Sequence, residues 1–177
     1  TGGSNNFIEF YVENTNTLRA SCKRTTPVAS ADTSPVANGV WYHTTVVWDH
    51  TVPSLTVYLN GANATTATGT ASNSSNPSLA GVGLAARCQN GSQGNLNGFF
   101  QDFGIWDKAL AANEIAEIAV AAFDLGTNSG NYQSASDLKL WWSMQNRTGN
   151  STSVVDSSGN AHIGALQGNY TLSTDVP

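Results

Sequence analysis

Apolar and polar residues alternate along this chain in short runs, each closed by a cluster of polar turn residues. Residues 7–12 (FIEFYV) are aromatic and β-branched with Glu9 interleaved, the composition of a half-buried strand. Residues 18–23 follow across Asn14-Thr15-Asn16, a polar bridge that predicts a hairpin. Two further strands are predicted at 41–48 (WYHTTVVW) and 55–59 (LTVYL). The second stops at Asn60-Gly61, the strongest hairpin signal in the chain, because both residues tolerate the left-handed conformation that a two-residue turn requires. Residues 79–88, 98–106 and 138–144 (LKLWWSM) supply the remaining strands.

One segment departs from this period. Leu110, Ile115, Ile118, Val120 and Phe123 stand among good helix formers over 109–122, with Asn113 and Glu114 near the start. Their apolar stripe is incomplete, which predicts a short helix on the edge of the sheets. Residues 124–137 (DLGTNSGNYQSASD) read as a polar linker. The run 146–164 after the last strand is rich in turn residues. Many short strands and a single helix predict an all-β antiparallel sandwich of two sheets. The expected organisation is a sandwich over 1–123, the linker 124–137, and strands in 138–177 that complete or flank the same sandwich.

Composition narrows the function classes. A chain of 177 residues suits one domain with a real core. Only 11% of residues are charged against 40% hydrophobic, so the surface dissolves through hydroxyls and amides, a style common in extracellular and particle-surface β proteins. The net charge is −5, and the seven basic residues cluster only at Arg19, Lys23 and Arg24. Nucleic acid is therefore not an expected partner, since phosphate neutralisation needs grouped cations. No apolar run reaches membrane-spanning length, and no membrane partner is expected. Cys22 and Cys88 are too few for a disulfide scaffold or a zinc site. They either pair across neighbouring strands or sit as small buried hydrophobes.

Three stretches together carry a family resemblance. Residues 38–61 (NGVWYHTTVVWDHTVPSLTVYLNG) resemble the laminin-G-like pattern of Trp-x-His, a buried strand, a turn and a Tyr-x-Asn-Gly hairpin. Residues 98–115 (GFFQDFGIWDKALAANEI) resemble that family's closing strand and its Ala-Leu and Glu-Ile helix. Residues 140–144 (LWWSM) and 156–177 are similar to a tail found in structural proteins of tailed, often marine, bacteriophages. The resemblance implies a laminin-G-like and pentraxin-like jelly roll of the concanavalin A type, and a virion protein such as a capsid decoration or fibre module. Its partners would then be other subunits of an assembly, copies of itself among them, and surface glycans. A secreted or cell-surface lectin-like domain is the alternative. About the first third of the family's domain has no counterpart before Phe7. A trimmed start, a circular permutation that brings the C-terminal segment into that place, and a strand donated by a neighbouring subunit each account for this.

Candidate chemistry is sparse. Concanavalin-like glucanases alternate Glu, Asp and Glu along one strand, and Glu9 and Glu13 fit the outer positions, but Tyr11 stands where the central Asp belongs. A non-catalytic module is expected. His43, His50 and His162 lack metal-ligand spacing, and no Gly-x-Ser-x-Gly elbow is present. Pentraxin-like members hold calcium with carboxylates ahead of the closing strand, yet the matching residues 86–97 contain no Asp or Glu. Asp49 and Asp102 are the remaining candidate ligands, set against plain turn and strand-edge roles, and no cofactor is expected. Among the five tryptophans, Trp141 and Trp142 are the candidate ligand-binding pair. Adjacent strand residues face opposite ways, so one ring leaves the inner side to pack on a partner subunit, on the helix or on a ligand. Six Asn-x-Ser/Thr sequons occur, at Asn63, Asn73, Asn90, Asn146, Asn150 and Asn169. Chance alone yields about four in so Asn-, Ser- and Thr-rich a chain, so they say little about glycosylation.

Overall fold

The computed structural model describes residues 7–12, 16–23, 27–49, 51–68, 82, 84, 98–120, 123–144 and 152–166. The chain forms two compact units, Thr1–Asn97 and Gly98–Pro177. This division falls earlier than the expected boundary at 123. The fold class is as expected: antiparallel β-sheets with one short α-helix.

The first unit is a sandwich of two three-stranded sheets. One sheet has the order β1 (Phe7–Val12), β2 (Thr17–Lys23), β3 (Pro27–Pro35), and the other β4 (Thr44–Asp49), β5 (Ser54–Leu59), β6 (Ala62–Thr68). Alternation decides which residues enter the core. Leu18, Ala20 and Cys22 of β2 are buried, as is Ala31 of β3. Ala20, Cys22 and Ala31 meet Leu55 and Val57 of β5, and Ile8, Val46, Trp48 and Ala67 pack around them. The small residues of one sheet receive the larger ones of the other, and Thr65 of β6 adds a hydrogen bond to the backbone carbonyl of Asp32 in β3.

The expected hairpins are present. β1 pairs with β2 from Phe7↔Lys23 to Val12↔Leu18. Asn60 and Gly61 join β5 to β6 with φ of 51° and 78°, the left-handed pair of a type I′ turn. β4 starts at Thr44, three residues later than expected, because the chain at His43 is tied across to that turn. The His43 N–H donates to Asn60 Oδ1 at 3.0 Å, and the Asn60 N–H donates to the His43 carbonyl at 2.8 Å. β3 and β6 were not anticipated. Their sequences, PVASADTSP and ANATTAT, are too weakly apolar to show a period. The expected strand over 79–88 lies outside the described residues apart from Val82 and Leu84, and so does Cys88. Cys22 is buried in the core.

The second unit is built on β7 (Phe103–Trp106) paired antiparallel with β8 (Leu138–Trp142). β7 begins at Phe103 rather than Gly98 because Asp102 takes φ of 49°, which ends extended structure. The helix α1 spans Ala112–Ile118, shorter than the expected 109–122. Glu114 sets its start, since Oε2 accepts the Ala111 N–H at 2.9 Å and so satisfies a donor that the first turn leaves open. Residues 124–137 pack into this unit. Tyr132 and Ser134 are fully buried, and a 3₁₀ turn at Ala135–Asp137 leads into β8. Trp106 Nε1 donates to the Tyr132 hydroxyl at 2.9 Å, which donates to the Leu125 carbonyl at 2.9 Å. Phe123 and Trp106 meet the Tyr132 ring edge-on. Short strands β9 (Ser153–Val154) and β10 (Gly164–Ala165) pair with each other.

Candidate functional site

β8 presents its two tryptophans on opposite faces. Leu138 and Leu140 are buried on one face, and Trp142 shares it by strand period. The Trp142 ring lies 5.7 Å, centroid to centroid, from Phe103, which stands opposite it in β7. Its Nε1 donates to the His162 carbonyl at 2.7 Å. Gly164 lies so close beneath it that a Cβ there would come within 2.9 Å of the ring. Trp142 is a packing residue.

Trp141 belongs to the other face and is half-buried. Its Nε1 donates to Asp102 Oδ1 at 3.4 Å, so two of the residues singled out in the sequence meet although they lie far apart along the chain. The register of β7 and β8 brings this about, because Gly104 pairs with Trp141 and Asp102 precedes β7 by one residue. Gly126 closes on the ring from the loop after the helix. A Cβ at Gly126 would lie 3.5 Å from Trp141 Cζ3 and 3.3 Å from Asp124 Oδ1, so the turn leaves little room between itself and the indole. Asp124 shapes that loop itself: Oδ1 accepts the Gly126 N–H at 2.9 Å and Oδ2 accepts the Thr127 hydroxyl at 3.0 Å. Asp124 and Gly126 escaped sequence reasoning. The Asp-x-Gly spacing of a side-chain-to-backbone turn is the signal that points to them.

A carboxylate turn sets the position of β8. Asp156 is buried and accepts the N–H groups of Trp141 at 2.8 Å, Ser158 at 2.9 Å and His162 at 2.9 Å. Burial pushes its pKa up, but these bonds push it down and prevail, so it stays ionised well below the usual carboxylate range. Asn160 Nδ2 donates to the Leu138 carbonyl at 3.0 Å, fastening the far end of the same turn.

The other sequence candidates do not join this site. Asp49 lies in the first unit, where its Oδ1 accepts the Thr51 N–H at 2.8 Å and the Thr51 hydroxyl at 2.6 Å, the geometry of a turn residue. His43 has its Nδ1 buried without a hydrogen-bond partner among the described residues, and burial holds its pKa below the ordinary histidine value. His162 is exposed, and His50, Glu13 and residues 86–97 lie outside the described residues. Among the described residues, no three His, Cys, Asp or Glu side chains are grouped closely enough to hold a metal ion. The Trp141 indole with the Asp102 carboxylate at its N–H edge offers an apolar ring with a hydrogen-bond acceptor beside it.

A laminin-G-type family profile matches residues 1–116, well over half of the chain. The chain belongs to the concanavalin A-like lectin/glucanases superfamily. Comparison with curated proteins found no match. Among solved structures, a candidate carbohydrate-binding protein from Bacteroides ovatus ATCC 8483 superposes with a TM-score of 0.59 at 14% identity, over 94% of this chain and 48% of the other. An S-layer domain-containing protein from Clostridium thermocellum ATCC 27405 superposes with a TM-score of 0.37 at 23% identity, over 68% of this chain and 59% of the other. The chain thus spans about half the length of these structures. The first likeness agrees with the concanavalin A-like fold. Neither bears on virion attachment, for which the resemblance of the C-terminal segment is the sole support.

Proposed function

We propose that the chain is a non-catalytic carbohydrate-binding module that works outside the cell, with Trp141 and Asp102 in its sugar contact. The observation that carries this reading is the half-buried Trp141 indole with the Asp102 carboxylate at its N–H edge. An indole face stacks on the apolar face of a pyranose ring, while carboxylates accept bonds from the ring hydroxyls around it. Support comes from membership of a lectin and glucanase superfamily and from the fold shared with the candidate carbohydrate-binding protein of Bacteroides ovatus. The low charge and hydroxyl-rich composition suit an extracellular surface. The absence of catalysis is argued from Tyr11, which occupies the position where a strand-borne glucanase pattern needs its central acid.

The test is a glycan array followed by titration calorimetry with the best oligosaccharide. Trp141→Ala is expected to weaken binding about tenfold or more with an unchanged far-ultraviolet circular dichroism spectrum. Full affinity in that variant, or turnover of an oligosaccharide lost on Asp102→Asn, would overturn the reading.

A further inference from the structure

We infer that Asn38 is a site of spontaneous deamidation in the folded protein, while Asn60, in the same Asn-Gly sequence, is protected by the fold. Both asparagines precede glycine, so no side chain shields the backbone nitrogen that would attack the amide. Their surroundings differ. Asn38 and Gly39 form an exposed turn between β3 and β4. Gly39 has φ of 73°, and its chain neighbours apart, no heavy atom stands within 4 Å of where a Cβ would be. Neither residue makes a hydrogen bond to another described residue. The Ala37 N–H donates to the Tyr42 hydroxyl at 3.0 Å, which ties the loop on either side of the pair and leaves the pair itself untied. Asn60 is held three ways. Its Oδ1 accepts the His43 N–H at 3.0 Å, its own N–H donates to the His43 carbonyl at 2.8 Å, and the paired residues Leu59 and Ala62 close the turn around it.

The reaction needs only water and hydroxide. Hydroxide takes the Gly39 amide proton, and the nitrogen attacks Cγ of Asn38. The Cγ–Nδ2 bond breaks, water protonates the leaving nitrogen, and ammonia departs from a cyclic succinimide. Water then adds to either ring carbonyl. Cleavage of the bond from Cγ to the Gly39 nitrogen gives aspartate, and cleavage at the other carbonyl gives isoaspartate, in which the main chain runs through Cγ. For the nitrogen to meet Cγ, the asparagine must rotate both its side chain and the peptide that follows. An exposed turn without bonds of its own can do so in the native state. At Asn60 the same rotation breaks the two bonds to His43 and opens the β5–β6 hairpin, so the reaction there waits on local unfolding. Either product adds a carboxylate to a chain of net charge −5, and isoaspartate also lengthens the backbone inside the Ala37–Tyr42 tie.

Incubation of the full chain in mildly alkaline buffer over days, followed by proteolytic peptide mapping with mass detection, tests the proposal. Chromatography separates the aspartate and isoaspartate forms of each peptide. Asn38 is expected to lose its amide about tenfold or more faster than Asn60 in the folded protein. In guanidinium chloride, where neither turn persists, the two are expected to convert at similar rates. Asn38→Gln, whose longer side chain closes the ring far more slowly, is expected to remove the first product and leave the rate at Asn60 unchanged. Asn90 and Asn97 also precede glycine and lie outside the described residues, and the map reads their peptides separately. An Asn38 that converts no faster than Asn60 in the folded chain overturns the inference. A difference that persists undiminished in denaturant overturns it as well, because local sequence rather than the fold would then set the rates.

Discussion

The carboxylate of Asp156 accepts the backbone N–H of Trp141 at 2.8 Å, so the turn after β9 fixes the strand residue that bears the candidate sugar platform. The reverse bond accompanies it: the Ser157 N–H donates to the Trp141 carbonyl at 2.7 Å. A buried acid with three N–H donors is a joint, and its loss would be felt at the ring it positions.

Asp156→Ala is therefore expected to cost about 1–3 kcal/mol, because it takes the acceptor from the part-buried N–H groups of Trp141, Ser158 and His162, each worth about 1 kcal/mol where water does not replace it. Asp156→Asn keeps one acceptor oxygen and should recover part of that. Urea unfolding compares the three proteins. A destabilisation under 1 kcal/mol for the alanine variant would show that water replaces the carboxylate.

Gly104 faces the interior of the second unit at closer quarters. A Cβ there would lie 2.7 Å from Trp106 Cη2 and 3.0 Å from Leu125 Cδ1. The Trp106 ring cannot swing away freely, since its Nε1 is bonded to the fully buried Tyr132. Gly104→Ala is expected to destabilise by about 1–3 kcal/mol through overpacking. Gly39 offers space around its Cβ, but its φ of 73° makes the same substitution costly for a backbone reason. The two variants separate crowding from backbone strain. In Trp106→Phe, Gly104→Ala should lose most of its penalty while Gly39→Ala keeps its own, as double-mutant unfolding measurements can establish.

Strong β patterns at 7–12, 18–23 and 55–59 and the Asn60-Gly61 turn announced β1, β2, β5 and a hairpin, because alternation and turn chemistry act locally. β3 and β6 were silent because Ala, Thr and Ser give no apolar period, and only the facing sheet makes Ala31 a core residue. Residues 124–137 looked like a linker because their polar content hides the buried Leu125, Tyr132 and Ser134, and the Tyr132 ring owes part of its burial to Trp106, distant along the chain. Trp141 and Asp102 were each legible as candidates. Their meeting was not, since it is created by the register of β7 against β8.

Stability should respond to pH in two steps. His43 is held below its ordinary pKa by burial, so the unfolded chain takes up that proton first. Stability then falls as pH drops below about 6.5, the unfolded value. The carboxylates act lower. The Arg19 guanidinium holds Asp32 below its ordinary pKa, outweighing burial. Burial raises Glu114, but bonds from Ser134, Ala111 and Gln133 and the charge of Lys108 prevail and lower it. Asp156 is lowered as described. Their contribution is complete above the unfolded carboxylate values of about 4 and is lost as pH falls through the lower folded ones. His43→Gln should flatten the upper step and leave the lower one. Melting temperatures across pH 3 to 8 (a range of about five units that spans both titrations) decide this, and an unchanged upper step in the variant would mean that another group titrates there.

Trp141 and Trp142 are neighbours in sequence with opposite expected roles. Trp142 fills space between Phe103 and Gly164 and bonds to the His162 carbonyl, so Trp142→Ala should open a cavity and cost about 2–4 kcal/mol, the half-buried ring falling near the low end for an aromatic truncation. Trp142→Phe retains most of the packing and forfeits the N–H, leaving a carbonyl unpaired for about 1 kcal/mol. Measured under conditions where both variants remain folded, sugar affinity should be unchanged within about twofold. Trp141→Ala reverses the pattern, with a small change in melting temperature and a large one in affinity. Parallel unfolding and binding measurements on the two alanine variants therefore carry a simple crossed expectation. If Trp142→Ala lost binding in its folded form as completely as Trp141→Ala, both faces of β8 would have to be part of the site, and the packing role assigned to Trp142 would be wrong.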